Sequence, residues 1–311
     1  MARTKNKSSS RSRSKPKRTR EPIQWSRLAH RAGNFAFVAL VLAIFIGWSL
    51  GVGPLKSRVM AGQEAPAVPR IAWPALGGPF EGTWLPASSQ RQLTQIVHAN
   101  ASDNLFDQAS LERTREALHR TGWFVHPPTV RRGRDNVVEI EGEWRTPAAV
   151  VRHRERDYMV SGRGELLPID YPVGGAGPAH RVVMGAEFGP PTRDGRSFAF
   201  GEEWIGGDVQ AALSLMATLR HHFAGSRVWE QVAGVDVTEH RRNGRLSIVT
   251  DRGSRVVWGA APGAVTPGEQ TTVQKLERLA HLANGATGRI DAGARRVEIH
   301  GALVYVDERA R

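Results

Sequence analysis

Acidic side chains in two short segments are the first candidates for chemistry. Glu202 and Glu203 precede Trp204, and glycoside hydrolysis uses a pair of carboxylates. Adjacent residues of a strand point to opposite faces, so these two carboxylates are not expected to act on one substrate. Glu139 and Glu141 alternate along a predicted strand and do share a face, as Glu143 does. We interpret this row as a solvated or partner-facing acidic stripe.

Other familiar catalytic patterns are missing from the sequence. The chain has no cysteine, which excludes a thiol nucleophile, a disulfide framework and a thiolate metal site. No serine lies in a Gly-x-Ser-x-Gly elbow, and His221-His222 lack the i, i+4 spacing of a zinc helix. Gly175-Ala176-Gly177 is not followed by the rest of a dinucleotide fingerprint. The sequence therefore predicts no catalytic residue, no metal site and no cofactor, and favours a binding role.

An uncharged, mostly apolar run over residues 32–55 divides the chain. A helix needs about 20 such residues to cross a bilayer, so this run predicts a single transmembrane helix. The preceding 31 residues hold eleven Lys or Arg and one acid, Glu21. Positively charged flanks stay in the cytoplasm, which would leave residues 56–311 outside it. A cleaved signal peptide is one alternative, although Val59-Met60-Ala61 is a poor cleavage site, and a buried core helix is the other.

The charge is concentrated in the predicted tail, residues 1–31, which supplies +10 of the formal +13. This composition predicts a disordered cytoplasmic segment lying near anionic lipid. Nucleic acid is not an expected partner, because the tail has no aromatic residue for base stacking before Trp25. These features together predict an inner (cytoplasmic) membrane protein with the bulk of the chain periplasmic or otherwise extracytoplasmic.

The remaining sequence predicts a spacer followed by two folded regions. Residues 56–87 are rich in Gly and Pro, and their Trp73 and Trp84 are expected either at the bilayer interface or against the next domain. Residues 88–146 carry two helical patterns and then two strand patterns. Residues 147–311 carry short strands, turns and two helical patterns, near 208–219 and 272–283. The predicted fold class is α+β, with a mostly antiparallel β domain after the first region.

Several motifs resemble, in the same order, those of the bacterial cell division protein family FtsQ/DivIB. Residues 103–107, Asp-Asn-Leu-Phe-Asp, are similar to the family's "NLF-D" turn between two helices. Trp123-Phe124-Val125 resembles its "pWV" step into a strand, and Val130-Arg131-Arg132 its "V-x-R". Residues 158–167 are similar to its "lVD-x-x-G-x-vf". The resemblance implies a POTRA-like β-α-α-β-β domain over residues 88–146 and a β domain over 147–311.

The junction between these two domains is implied by a further motif. Arg145, Pro147 and Ala149 match the family's "E-R-x-P-x-A". The chain departs from the family at Trp144 and Ser161, where the family has acidic residues.

By resemblance, the function is a non-enzymatic scaffold at the division septum. The POTRA-like domain would serve recruitment, and the β domain would bind small coiled-coil partners of the FtsB/FtsL type and link early division proteins to septal cell-wall synthesis. A POTRA-type module of a secretion or outer-membrane assembly system, and a membrane-anchored envelope enzyme, are the alternatives.

The resemblance places partner binding on the last β-strand. The final strand pattern is apolar, β-prone and free of proline, and it consists of Ala302, Leu303, Val304, Tyr305 and Val306. An edge strand offers unpaired backbone groups to a partner strand. An ordinary intramolecular strand is the alternative interpretation of the same residues.

Overall fold

The computed structural model describes residues 37, 39–48, 66–76, 82–104 and 106–307. The predicted tail, residues 1–31, lies outside these ranges, and so does Leu105 of the turn motif. The described residues from 66 onwards belong to one compact unit, and residues 37 and 39–48 belong to another. The predicted domain boundaries at 56, 88 and 147 stay predictions.

The predicted membrane-spanning helix is not found. Of the range 32–55, the structure describes residue 37 and residues 39–48, which are helical and exposed. Among the described residues no helix combines the length and apolar character that a membrane crossing requires. The predicted fold, which began with such a helix, is therefore wrong.

A three-stranded sheet with two helices comes first along the described chain. Its elements are β1 (Val68–Ile71), α1 (Ala87–Asn100), α2 (Gln108–His119), β2 (Thr129–Arg132) and β3 (Val137–Glu141), with a 3₁₀ turn at Arg134–Asn136. The strand order is β1-β3-β2. β1 runs parallel to β3 and β2 runs antiparallel to it. The element order is thus β-α-α-β-β, and β1 lies within the range predicted as spacer.

Alternating side chains explain why β3 forms the centre of this sheet. Val138 and Ile140 are buried, whereas Glu139 and Glu141 face outwards. The helices cover the apolar face with Leu93, Val97 and Leu118. Asp107 begins α2 by accepting a hydrogen bond from the Ser110 N–H at 3.0 Å.

A nine-stranded sheet and four helices make up the rest. The strands, including a separate β8-β9 hairpin, are β4 (Pro147–His153), β5 (Arg156–Ser161), β6 (Leu166–Pro172), β7 (Arg181–Met184), β8 (Thr192–Arg193), β9 (Ser197–Phe198), β10 (Val232–Asp236), β11 (Leu246–Thr250), β12 (Arg255–Gly259), β13 (Arg296–Glu298) and β14 (Tyr305–Val306). The helices are α3 (Asp208–Phe223), α4 (Arg227–Gln231), α5 (His240–Asn243) and α6 (Thr272–Asn284). The large sheet has the order β14-β13-β12-β11-β10-β7-β4-β5-β6.

The large sheet contains both parallel and antiparallel strand pairs. The prediction of a mostly antiparallel β domain over residues 147–311 is therefore wrong. β7 pairs in parallel with both β4 and β10, and β12 pairs in parallel with β13. Parallel neighbours need a crossover connection, and here α3 with α4, and α6, lie within two of them. The prediction of a mostly antiparallel domain with two helices left out these pairs and the short helices α4 and α5. The architecture is mixed α/β.

One glycine permits the parallel pairing of β7 with β10. A Cβ atom added to Gly234 of β10 would lie 2.0 Å from the Val182 carbonyl oxygen of β7. Such a distance is far inside van der Waals contact, so only glycine fits at this register position.

Two hydrophobic clusters pack on the large sheet. One contains Trp204, Leu219 and Trp258 with the helices α3 and α6. The other joins Leu93 and Leu118 of the first helices to large-sheet residues, Val150, Met159 and Leu167. Successive residues of β4 enter different clusters, because side chains alternate across a strand. The small sheet and the large sheet therefore share a core.

Candidate functional site

The predicted partner strand forms one edge of the large sheet. Of the residues 302–306, Tyr305 and Val306 form β14, which pairs antiparallel with β13. Leu303 is 84% exposed and Tyr305 is 61% exposed, whereas Val304 is 39% exposed. Ala302 and Leu303 lie in a bend ahead of the strand. The strand is shorter than predicted, and the side chains of Leu303 and Tyr305 face solvent, whereas Val306 packs against the core of the large sheet.

The backbone register fixes which groups of this edge point outwards. The Asp307 N–H donates to the Arg296 carbonyl at 3.0 Å, so these two residues form a hydrogen-bonded pair. Inward and outward backbone groups alternate in antiparallel strands. Val306 therefore turns its N–H and C=O away from β13. A partner strand that extended β14 back to Val304 in the same register would meet outward-facing groups of Val304 as well.

An arginine of α6 holds the segment before β14, which the sequence did not predict. Arg278 Nη1 donates to the carbonyls of Ile299 at 2.8 Å and Gly301 at 2.5 Å. Arg278 Nη2 donates to the Ala302 carbonyl at 2.7 Å. The planar guanidinium suits this role because it offers several donors in fixed directions. These bonds hold the backbone up to Ala302, and the exposed residues Leu303 to Tyr305 follow directly after it.

Helix α6 is itself firmly anchored. Thr271 and Gln274 form a capping box at its start. The buried Lys275 Nζ lies 2.7 Å from Glu269 Oε2 and 5.3 Å from the centre of the Trp258 ring. Burial alone would raise the pKa of Glu269, but the hydrogen bonds from Lys275 and from the Ala260 N–H hold that pKa below its ordinary value. The helix is thus fixed against the sheet on which β14 lies.

A groove of about 420 Å³ runs between α6 and the partner strand. Leu282 and Val304 contribute apolar side chains to its lining, which also includes polar residues. The polar lining residues are Gln270, Gln274, Glu277, Arg278 and His281. A partner that pairs with β14 would meet this groove directly beside it.

The predicted junction residues have structural roles around a buried ion pair. Arg145 is 8% exposed, and its Nε lies 2.9 Å from Glu165 Oε1. Its Nη1 donates to the Gly122 carbonyl at 3.1 Å and also to the Phe124 carbonyl. Ser161 Oγ donates to Glu165 Oε2 at 2.7 Å. Arg145 thus connects the end of the α2 segment to the turn between β5 and β6.

Pro147 and Ala149 start the first strand of the large sheet. Pro147 pairs with Ser161, and the register shifts between Pro147 and Ala149. Proline lacks an N–H, so the first position of a strand accommodates it. Ala149 is fully buried and lies opposite both Val160 and Arg181.

The two tryptophans of the predicted spacer pack on the described fold. Trp73 lies 6.1 Å from Trp144 between ring centroids, and Trp84 lies 5.9 Å from Trp123. The Trp144 Nε1–H donates to the Ala72 carbonyl at 3.0 Å. The sequence predicted these tryptophans either at the bilayer interface or against the next domain, and the structure places them against the next domain.

The acidic candidates are not arranged as a catalytic pair. Arg131 lies 2.9 Å from both Glu139 and Glu141, so two of the three carboxylates of that stripe share one ion-pair partner. Trp204 is buried and its Nε1–H donates to the Phe188 carbonyl at 3.0 Å, so its ring does not face solvent beside Glu202 and Glu203. No cluster of three metal-ligating side chains occurs in the part of the chain that the structure describes.

The chain was also compared with known proteins. No protein-family model matches it, and no curated protein matches it.

Proposed function

We propose that this chain is a non-enzymatic scaffold of the bacterial cell division complex, similar in role to FtsQ/DivIB and acting at the division septum. The observation that carries the proposal is the edge strand β14, with Leu303, Val304 and Tyr305 exposed beside it. The ordered motifs between residues 103 and 168 and the β-α-α-β-β order of the first elements support the same reading.

Strand addition is the binding mode that this edge favours. A partner strand would gain backbone hydrogen bonds from outward groups such as those of Val306, and its side chains would contact Leu303 and Tyr305. Partners of the FtsB/FtsL type are small coiled-coil proteins. The groove beside α6 has both polar walls and apolar surface from Leu282 and Val304, which suits an amphipathic helix adjoining the added strand.

The first sheet and its helices would serve recruitment of the protein to the septum. The shared core and the Arg145–Glu165 ion pair support a firm connection between this part and the partner strand's sheet. Binding at one part would then hold the other part in a defined position, which is what a scaffold requires.

Site-specific photo-crosslinking in dividing cells tests the proposal. A photoreactive residue at Leu303 should crosslink to a small coiled-coil division protein, because this side chain is 84% exposed beside the edge. The same residue at Val173, which is 48% exposed directly after β6 at the opposite edge of the large sheet, is the matched control and should not give that product. Crosslinks from Leu303 to transport machinery would instead favour a secretion-type module, and identical products from both sites would contradict the proposal.

A further inference from the structure

A cavity lies on the other half of the large sheet, away from β14 in the strand order. Its volume is about 620 Å³, within the range of small-molecule pockets. Helix α3 forms one wall, with Leu213, Met216 and Ala217. β7 and α4 contribute Arg181 and Trp229 on another side.

Arg181 is the unusual residue of this cavity. Its guanidinium carbon lies 4.8 Å from the centre of the Trp229 ring. Nη1 donates to the Pro178 carbonyl at 2.8 Å, and Nη2 donates to the Trp229 carbonyl at 3.1 Å. These contacts fix the guanidinium plane. Its Nε–H is buried and has no acceptor among the residues described.

The charge of Arg181 is also uncompensated. No ion pair within the described ranges includes Arg181, and burial lowers its pKa. Two more basic side chains, Arg220 and His221, line the same cavity, and no acidic residue lines it. A desolvated cation normally has an acidic partner, because burial of an unpaired charge is costly.

We propose that this cavity binds a small carboxylic acid with an apolar body. The carboxylate would lie beside the Arg181 guanidinium and near Arg220, and its negative charge would be the missing counter-charge. The apolar body would pack on Leu213, Met216 and the Trp229 ring. The proposal is independent of the division role, because the cavity shares no lining residue with the groove beside β14.

Calorimetry on the full chain tests this assignment with octanoate as the probe, octan-1-ol as its uncharged counterpart and butyrate as a carboxylate with little apolar surface. Octanoate should bind at least about tenfold more tightly than either, since charge-assisted hydrogen bonds and apolar burial both contribute. Arg181→Gln should weaken octanoate binding by about tenfold or more, and Arg196→Gln, an exposed arginine outside the cavity, should not change it.

A second variant keeps the test valid if Arg181→Gln fails to fold. Ala217→Trp places a large side chain into the cavity from an exposed position of α3 and should abolish octanoate binding. His222→Trp, at an exposed position of the same helix that does not line the cavity, should bind octanoate normally. The inference is overturned if octanoate does not bind, if octan-1-ol binds equally well, or if Ala217→Trp binds like the unmodified chain.

Discussion

Arg145 shows how single residues determine the junction between the two sheets. It was predicted from a sequence motif as a boundary marker, and the structure places it in a buried ion pair with Glu165. Its other donors reach backbone carbonyls of Gly122 and Phe124. The partner Glu165 is 20 residues away in sequence, and the motif alone gave no means of identifying it.

Removal of the Arg145 charge should destabilise the protein strongly. Arg145→Met leaves Glu165 buried without a cation, which costs about 3–5 kcal/mol of unfolding free energy. Arg120→Met breaks an exposed pair with Glu116 and should cost no more than about 0.5 kcal/mol. Urea unfolding of both variants measures the difference. Equal costs for the two substitutions would contradict a buried ionic junction, and adding Glu165→Gln to Arg145→Met should recover part of the loss.

His300, at the end of β13, should make stability depend on pH. Burial first, and then the charges of Arg245 and Lys275, lower its pKa below 6.5 against the opposing effect of Glu269 and Glu298. The unfolded chain therefore takes up a proton at a pH where the folded chain does not. Stability should fall as the pH decreases from 7.5 through 6.5 towards the lower folded-state pKa, and the loss from this group should level off below that value.

Urea unfolding at a series of pH values checks this expectation. His300→Gln should show a shallower decrease between pH 7.5 and 5.5 than the unmodified chain. His98→Gln, at an exposed position of α1, serves as the control and should keep the original slope. An unchanged slope in His300→Gln would show that His300 does not titrate as argued.

At the scale of elements, local patterns predicted the strands and helices well, and long-range pairing poorly. The helical patterns predicted near 208–219 and 272–283 lie within α3 and α6, because each has apolar residues at helical spacing. β1 was assigned to the spacer because it is four residues long in a Pro-rich segment, and its partner β3 is almost 70 residues away. The parallel pairs of β7 and β12 depend on crossovers that no local pattern records.

Only part of the candidate site could be predicted, because the rest of it also depends on contacts between residues far apart in the sequence. The edge strand could be read from its apolar, proline-free sequence. Arg278, whose side chain bonds to Ile299, Gly301 and Ala302, could not be predicted, because a lone arginine on a helix usually faces solvent.

Partner binding should depend on the backbone N–H of Val304. Val304→Pro removes this donor and obstructs strand addition, so we expect at least about tenfold weaker binding of a coiled-coil partner. Val304→Ala retains the donor and should bind within about threefold of the unmodified chain. Affinity measurements with purified partner, together with thermal unfolding of each variant, give the result. Full binding by a folded Val304→Pro variant would exclude strand addition at this position.

At the scale of the whole molecule, the described residues from 66 onwards act as one unit. The cluster of Leu93, Leu118, Val150, Met159 and Leu167 crosses the predicted boundary at 147, so the two sheets are packed together rather than joined by a linker. Such packing suits a scaffold, because it fixes the distance between a recruitment surface and the partner strand. The sequence could not predict this shared core. It shows that β4 has apolar side chains on both faces, but not which elements pack against each face.

The most direct measurement of the proposed function is live-cell localisation of the full-length chain with a fluorescent protein at its N-terminus, in cells where the fusion supports normal division. The division role predicts a fluorescent band at the division site that forms before constriction is complete. A uniform or patchy signal throughout the cell cycle, with no band, would contradict it.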